Sequence, residues 1–154
     1  MSGGGSSSRF AAWLAGAGLD IEVRRFPQGT RTAEDAAAAI GCTVAQIVKS
    51  LVFTVDGSPV VALVSGANRL DTDRLAARGR VGKADAALVR EATGYAIGGV
   101  PPFGHATALP VLCDRDLLAH DTVWAAAGRP DAVFPIAPAR LVELSRAEVA
   151  DLAV

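Results

Sequence analysis

The sequence predicts a single α/β domain (α+β in the looser sense) built on a mixed β-sheet flanked by helices. Three observations lead there. Helix-like and strand-like stretches are interleaved along the chain, which is the pattern of a layered α/β fold. A hairpin signal, Asp56-Gly57, lies between two long apolar runs, so at least one strand pair is antiparallel. Those runs are apolar almost throughout rather than at every second position, which implies a sheet covered on both faces. A chain of 154 residues suits one domain with a real core.

The elements follow in order. After Met1, the residues to Ser8 are only Gly and Ser, so 1–8 is expected to be disordered and 9–154 to form the domain. Arg9 to Ala17 places Phe10, Trp13 and Leu14 at helical spacing. Leu19 to Phe26 alternates apolar and charged residues and reads as a half-buried strand. Pro27-Gln28-Gly29 turns the chain. Thr32 caps a helix through Ala39, with Glu34 and Asp35 favourable in its first turn, and Gly41 stops it. Thr43 and Gln46 have capping-box spacing and open a second short helix.

Ile47 to Val55 is β-branched and apolar, and Pro59 to Ser65 answers it across the hairpin turn. A helix starts at Asp71 or Thr72 and runs to about Arg78, and another covers Asp85 to Ala92. Ala106 to Cys113 reads as a strand interrupted by Pro110. Thr122 to Ala126 and Val133 to Ile136 read as two more strands. Pro138 to Leu144 and Ser145 to Leu152 close the chain as helices, the second with a Ser145 to Glu148 capping box. There is no internal repeat.

Composition narrows the function classes. No apolar run reaches the roughly 18 residues of a membrane span, and Leu14 to Leu19 is too short and broken for a signal peptide core. Two cysteines, Cys42 and Cys113, without CxxC spacing argue against a disulfide framework and a zinc site, so a reducing cytoplasm is the default. No His, Cys or carboxylate grouping has metal-ligand spacing, and no motif asks for a cofactor. The net charge of −1 rules out a global basic field, so any RNA contact is local.

Two features carry chemistry. The first is Ile97-Gly98-Gly99-Val100-Pro101-Pro102-Phe103-Gly104-His105. Its prolines remove donors and fix φ, while its glycines allow positive φ and close approach. The result is a stiff loop that is either a structural corner or a cradle for a polar ligand group. It is neither a dinucleotide fingerprint nor a Walker loop. The second is Lys49, one of two lysines, in the middle of an apolar run. Such a lysine is an edge gatekeeper with its head in water, or a point charge for a phosphate or ester carbonyl. His105 adjoins the loop as a potential base or a structural residue. His120, in a charged turn, reads as surface. Arg69, Arg74, Arg78 and Arg80 read as a solvated face paired with Asp71 and Asp73, or as a small phosphate patch. There is no G-x-S-x-G elbow.

Ile47-Val48-Lys49-Ser50-Leu51-Val52-Phe53, followed later by Thr93-Gly94-Tyr95-Ala96-Ile97-Gly98-Gly99-Val100-Pro101-Pro102-Phe103-Gly104, resembles the YbaK family. These are freestanding deacylases related to the editing domain inserted in bacterial prolyl-tRNA synthetase. The resemblance covers nearly everything from Leu19 to Leu144, and the Leu70-Asp71 helix start adds to it. It implies a mixed sheet, partly closed like a barrel. It also implies hydrolysis of the ester in a mischarged tRNA, releasing the amino acid.

By this resemblance Lys49, Gly98 and Gly99 are the catalytic positions. Val100, Pro101, Pro102, Phe103, Gly104 and His105 form the substrate-binding loop, with no metal. The implied partners are the acceptor end of an aminoacyl-tRNA, that of tRNA(Pro) first, and prolyl-tRNA synthetase. The cysteine-removing branch carries a serine before Gly-Gly and a later aspartate. Here those positions read Ala126 and Val133, leaving cysteine, alanine, serine, threonine or a similar small amino acid open. Readings from other classes are a non-catalytic aminoacyl- or nucleotide-binding module and a domain that docks on a synthetase.

Overall fold

A computed structural model describes residues 6–26 and 32–154. Its elements are α1 (Ser6–Gly16), β1 (Arg24–Arg25), α2 (Ala33–Ile40), β2 (Val48–Val55), β3 (Ser58–Ser65), α3 (Thr72–Ala76), β4 (Val81–Lys83), α4 (Ala86–Thr93), β5 (Val111–Asp114), β6 (Val123–Ala126), β7 (Ala132–Ile136), α5 (Pro138–Ser145) and β8 (Glu148–Ala150). The expected turn at Pro27-Gln28-Gly29 lies outside the described residues, as do Met1 to Gly5. Helix α1 takes in Ser6 to Ser8, so it begins before Arg9.

Two sheets form. The larger has strand order β4-β2-β3-β5-β8, with β2 antiparallel to β3 and β4, and β5 parallel to β3 and β8. It is mixed, as expected. The smaller is antiparallel, in the order β1-β7-β6. A single parallel bridge, Ile47 to Trp124, joins them. The sheets are flanked by helices and do not close into a barrel.

The apolar runs of β2 and β3 are covered on both sides, as their composition requires. Val48, Val61 and Leu63 face a core shared with Phe134, Val123 and Leu141. Val60, Ala62 and Val64 face a second core with Leu75, Leu112 and Leu152. Asp56 and Gly57 form the hairpin with positive φ at both, the geometry that a tight two-residue turn demands. Thr32 caps α2 by accepting from the Asp35 N–H, and Gly41 ends it in the left-handed region. Thr43 and Gln46 close the capping box of a short 3-10 turn rather than an α-helix.

Three expectations fail for reasons of hydrogen bonding. In Leu19 to Phe26 only Arg24 and Arg25 find a strand partner, opposite Val133 and Ala132, and Val23 stays exposed. Ala106 to Pro110 is not a strand. Ala106 and Thr107 donate to the carbonyls of Thr93 and Ala92 at the end of α4, and Pro110 accepts from the Val61 N–H. Ser145 does not start a helix. Its hydroxyl returns to Leu141 O, Arg146 turns left-handed at φ 56, and the chain leaves as β8 to pair with β5. Strand β4 was not foreseen. The arginine group divides as a solvated face does: Arg74 pairs with Asp71, and Arg78 with Glu148 rather than Asp73.

Helix α1 ends the core. Phe10 is fully buried among Phe134, Phe103, Trp13 and Tyr95, with ring centroids at 5.3, 5.9, 6.5 and 6.5 Å. Because Phe103 belongs to the Pro/Gly loop, α1 supports that loop from behind. Phe10→Ala empties the middle of this cluster and should lower stability by about 3–5 kcal/mol, read from urea unfolding at constant m.

Candidate active site

β2 is paired along its whole length on one side and only in part on the other. The Gly66 N–H donates to Ile47 O, so the odd residues of β2 turn their backbone groups to β3. The even residues turn theirs to the opposite edge, where β4 meets the strand only from Phe53 onward. The open half of that edge, Val48 to Leu51, borders a cleft of about 320 Å³. The start of α2 (Thr32, Ala33, Ala36), Trp124 to Ala126 on β6, and Pro130 and Val133 close it from other sides. Ile97, Gly98 and Val100 form the last wall. The volume is at the small end of ligand-sized cavities. Its lining is mostly apolar and, among the described residues, contains no carboxylate and no histidine.

Lys49 lines this cleft, half-buried, and its ammonium donates to Asn68 O at 2.6 Å. That carbonyl is held in turn. Asn68 Nδ2 donates to Asp114 Oδ2 at 2.9 Å and to Asp116 Oδ2 at 2.8 Å. Asp114, at the end of β5, is 1% exposed and also accepts from the backbone N–H groups of Ser65 and Asp116. An ammonium has three donors, so one hydrogen bond fixes the Lys49 head and leaves two for a ligand.

The Pro/Gly loop has a front and a back. Thr93 and Gly94 end α4, with Gly94 left-handed at φ 84, and the Thr93 hydroxyl accepts from Tyr95 N–H. The Gly99 N–H donates to Ala96 O, which makes a turn that holds Gly98 at φ 91. A Cβ on Gly99 would lie 2.9 Å from the backbone of Gly128 and Arg129, so only glycine lets these two backbones touch. Gly98 and Val100 present N–H groups that have no partner among the described residues.

Behind, Pro101, Pro102 and Phe103 are buried. Gly104 lies against the Trp13 ring and accepts from the Tyr95 hydroxyl, which burial pushes up to about 12. His105 Nε2 is 2.7 Å from Pro101 O, so Nε2 carries the proton and donates.

Of the residues nominated from sequence, Lys49, Gly98 and Val100 therefore line the cleft. Gly99 stands directly behind. Pro101, Pro102, Phe103, Gly104 and His105 shape the loop from the side away from the cleft and do not line it. The resemblance pointed to Ala126 and Val133, and both line the cleft, but sequence reasoning missed the wall made by α2, Trp124 and Ala125 on β6, and the Asn68–Asp114–Asp116 group. Their signals are weak: an Ala-rich helix start, and two aspartates just past the expected strand end at Cys113 that belong to no motif. Ser50, beside Lys49, has a buried hydroxyl without a partner among the described residues. Among the described residues no helix is long and apolar enough to cross a membrane, and no group of three His, Cys, Asp or Glu could hold a metal ion.

Residues 27–144 match the aminoacyl-tRNA editing domain. The uncharacterised protein YwhH of Bacillus subtilis is 34% identical over 132 residues, 83% of each chain. The proline–tRNA ligase of Solidesulfovibrio magneticus is 37% identical over 100 residues, 62% of this chain but 17% of that enzyme. Among solved structures, a protein proposed as a trans-editing enzyme for prolyl tRNA synthetase superposes with a TM-score of 0.91 at 46% identity, over 99% of both chains.

Two outcomes test the site's construction. Burial lowers the His105 pKa from its ordinary 6.5, while the hydrogen bond to Pro101 O raises it by less. A depressed folded-state value means that the unfolded chain takes up the proton first, so this stability is present above pH 6.5 and is lost as pH falls through the folded pKa. The imidazole should titrate below 6.5 by NMR, and His105→Gln should flatten the loss of stability between pH 7 and 5. Ser50→Ala removes a buried orphan hydroxyl and should raise stability by up to about 1 kcal/mol in urea unfolding.

Proposed function

This chain belongs to the aminoacyl-tRNA editing domain family, and we propose that it hydrolyses the ester of a mischarged tRNA, releasing a small amino acid. The observation that carries the reading is the cleft itself. It brings together, around a small apolar space, one fixed ammonium and two residues, Gly98 and Val100, whose backbone N–H groups have no partner among the described residues. An aminoacyl ester is already activated, so orientation and stabilisation of the developing oxyanion can supply most of the rate. Lys49 holds the terminal ribose or the ester oxygen with its two remaining donors. Gly98 and Val100 N–H receive the carbonyl as it becomes an oxyanion. The Gly99 amide is spent on Ala96 and does not take part.

Since neither a carboxylate nor a histidine lines the cleft, water is activated by the substrate's own hydroxyl or amine. The apolar wall of Ile97, Trp124, Ala125 and Val133 selects by size. One methylene is worth only about 1–3 kcal/mol in such a sieve, so cysteine, alanine, serine and threonine are poorly separated from one another. The similarity to proline–tRNA ligases favours tRNA(Pro) as the carrier and prolyl-tRNA synthetase as the enzyme whose errors are removed.

The test is a deacylation panel of tRNA(Pro) carrying each small amino acid, with wild type and Lys49→Ala. Wild type should exceed spontaneous hydrolysis on at least one substrate. Lys49→Ala should lower kcat by about 10²-fold or more while leaving the unfolding midpoint little changed. Wild type no faster than buffer on every substrate would overturn the reading.

A further inference from the structure

Three arginines lie on or beside the smaller sheet where it walls the cleft, Arg24 on the strand face it shares with Val133 and Arg25 on the opposite face, across from Ala132. Arg24 pairs in register with Val133, a cleft residue, and its guanidinium lies 5.0 Å from the ring of Trp124, another. Arg129 adjoins the cleft residue Pro130. Arg25, next along β1, bonds Asp131 Oδ2 at 3.1 Å, and Arg129 Nε bonds Asp131 Oδ1 at 3.0 Å. All three are well exposed, with side chains 49, 59 and 44% accessible for Arg24, Arg25 and Arg129. Their carboxylate partners are Glu22 and Asp131, so the group keeps a net charge of +1 in a chain whose total is −1.

The pairing is partial in donors as well as in charge. A guanidinium has five N–H donors. Arg24 gives one to Glu22, and Arg129 gives Nε and Nη2 to Asp131. Asp131 thus holds two guanidiniums in place with most of their donors still pointing to solvent. Fixed forks with free N–H pairs match phosphate oxygens, and their ordering cost is already met in the free protein.

We propose that Arg24, Arg25 and Arg129 form a phosphate-binding rim that seats the single-stranded 3′ end of an RNA whose terminal ribose enters the cleft. The inference rests on the deacylase reading and adds a partner surface to it. It gives the smaller sheet a task that the ester chemistry does not use. It also offers a polyanion a local group of net positive charge on a chain whose total is near neutral.

The test is binding of an uncharged tRNA across a salt series, beside hydrolysis of an aminoacyl ester of adenosine, which has no phosphate. For single strands, log K falls with log salt by about 0.7 per phosphate contacted. The triple variant Arg24→Gln, Arg25→Gln, Arg129→Gln should bind tRNA at least ~10-fold more weakly at low salt, with the slope reduced by about 2. Hydrolysis of the adenosine ester should change less than twofold. Glu22→Gln, which frees Arg24, should tighten tRNA binding and steepen the slope, a gain that misfolding cannot imitate.

A control triple at Arg90, Arg115 and Arg140 should leave binding and slope unchanged. An unaltered slope in the rim variant, or an equal loss in the control, would overturn the rim. Absence of wild-type hydrolysis on both esters would defeat the deacylase reading, while the binding arm still decides the rim.

Discussion

A carboxylate taken out of water must be surrounded by donors, and Asp114 has no ion-pair partner among the described residues. Its oxygens accept instead from Ser65 N–H, Asn68 Nδ2 and Asp116 N–H. These come from the end of β3, the loop that follows it, and the turn after β5. One buried side chain therefore locks three pieces of backbone into a single arrangement. The loop so fixed offers Asn68 O to Lys49, so the place of the ammonium is set by a residue on a strand that β3 separates from β2. The sharing is economical in donors: Asn68 gives both amide hydrogens to carboxylates, and its own carbonyl is left for the lysine. Without that order the ammonium would swing freely on a four-carbon stem and lose the orientation on which ester chemistry depends.

The Pro/Gly loop meets the same requirement by other means. Its cleft side needs amides that point outward without a partner, and unsatisfied amides are stable only when the backbone around them is over-determined. The restraints sit at both ends. Gly99 turns on Ala96 and presses against the backbone of Gly128 and Arg129, while His105 reaches Pro101 O and Tyr95 reaches Gly104 O. The two prolines between have no N–H to satisfy and little freedom to lose. Phe103 then anchors the back in the aromatic cluster of α1. The segment reads as one motif but works as a rigid piece with separate structural and chemical sides, which is why adjacent residues such as Val100 and Pro101 serve different ends.

What was legible in the sequence divides along that line. Local rules located the β2–β3 hairpin, the Thr32 cap, the Gly41 stop, the helix beginning near Asp85 and the loop, because each depends on residues within a few positions. An isolated lysine in an apolar strand was legible as an anomaly. The Ser145 capping box was read locally and was wrong, because its hydroxyl was already engaged by the preceding turn. Leu19 to Val23 alternated like a strand but had no neighbour to pair with. Which loop residues face the cleft was not readable, since that depends on Gly128, Arg129 and Trp13, distant in the chain. Asp114 and Asn68 gave no signal either. Their importance is purely one of long-range pairing.

The distribution of charge follows from the same geometry. A carboxylate in the cleft would pair with Lys49, consume its free donors and repel a phosphodiester at the mouth. The nearest acids behind Lys49, Asp114 and Asp116, are turned instead to Asn68 and to backbone N–H groups, so they order the lysine without neutralising it by direct contact. Asp131, beside the cleft residue Pro130, does touch cations, but it touches two guanidiniums at once; burial, the largest single effect, raises its carboxyl, and Arg25 and Arg129 with a backbone hydrogen bond together outweigh it and hold the group below the ordinary range. A single acid shared between two bases leaves positive charge over, and leaves it in a fixed place. Lysine inside and arginine outside therefore suit different partners. A compact ammonium fits one reacting oxygen in a small space, and a planar fork fits the paired oxygens of a phosphate in solvent. The sheet that carries β1, β6 and β7 thereby joins the two, since Trp124 to Ala126 and Val133 wall the cleft while Arg24 and Arg25 are exposed on its edge strand.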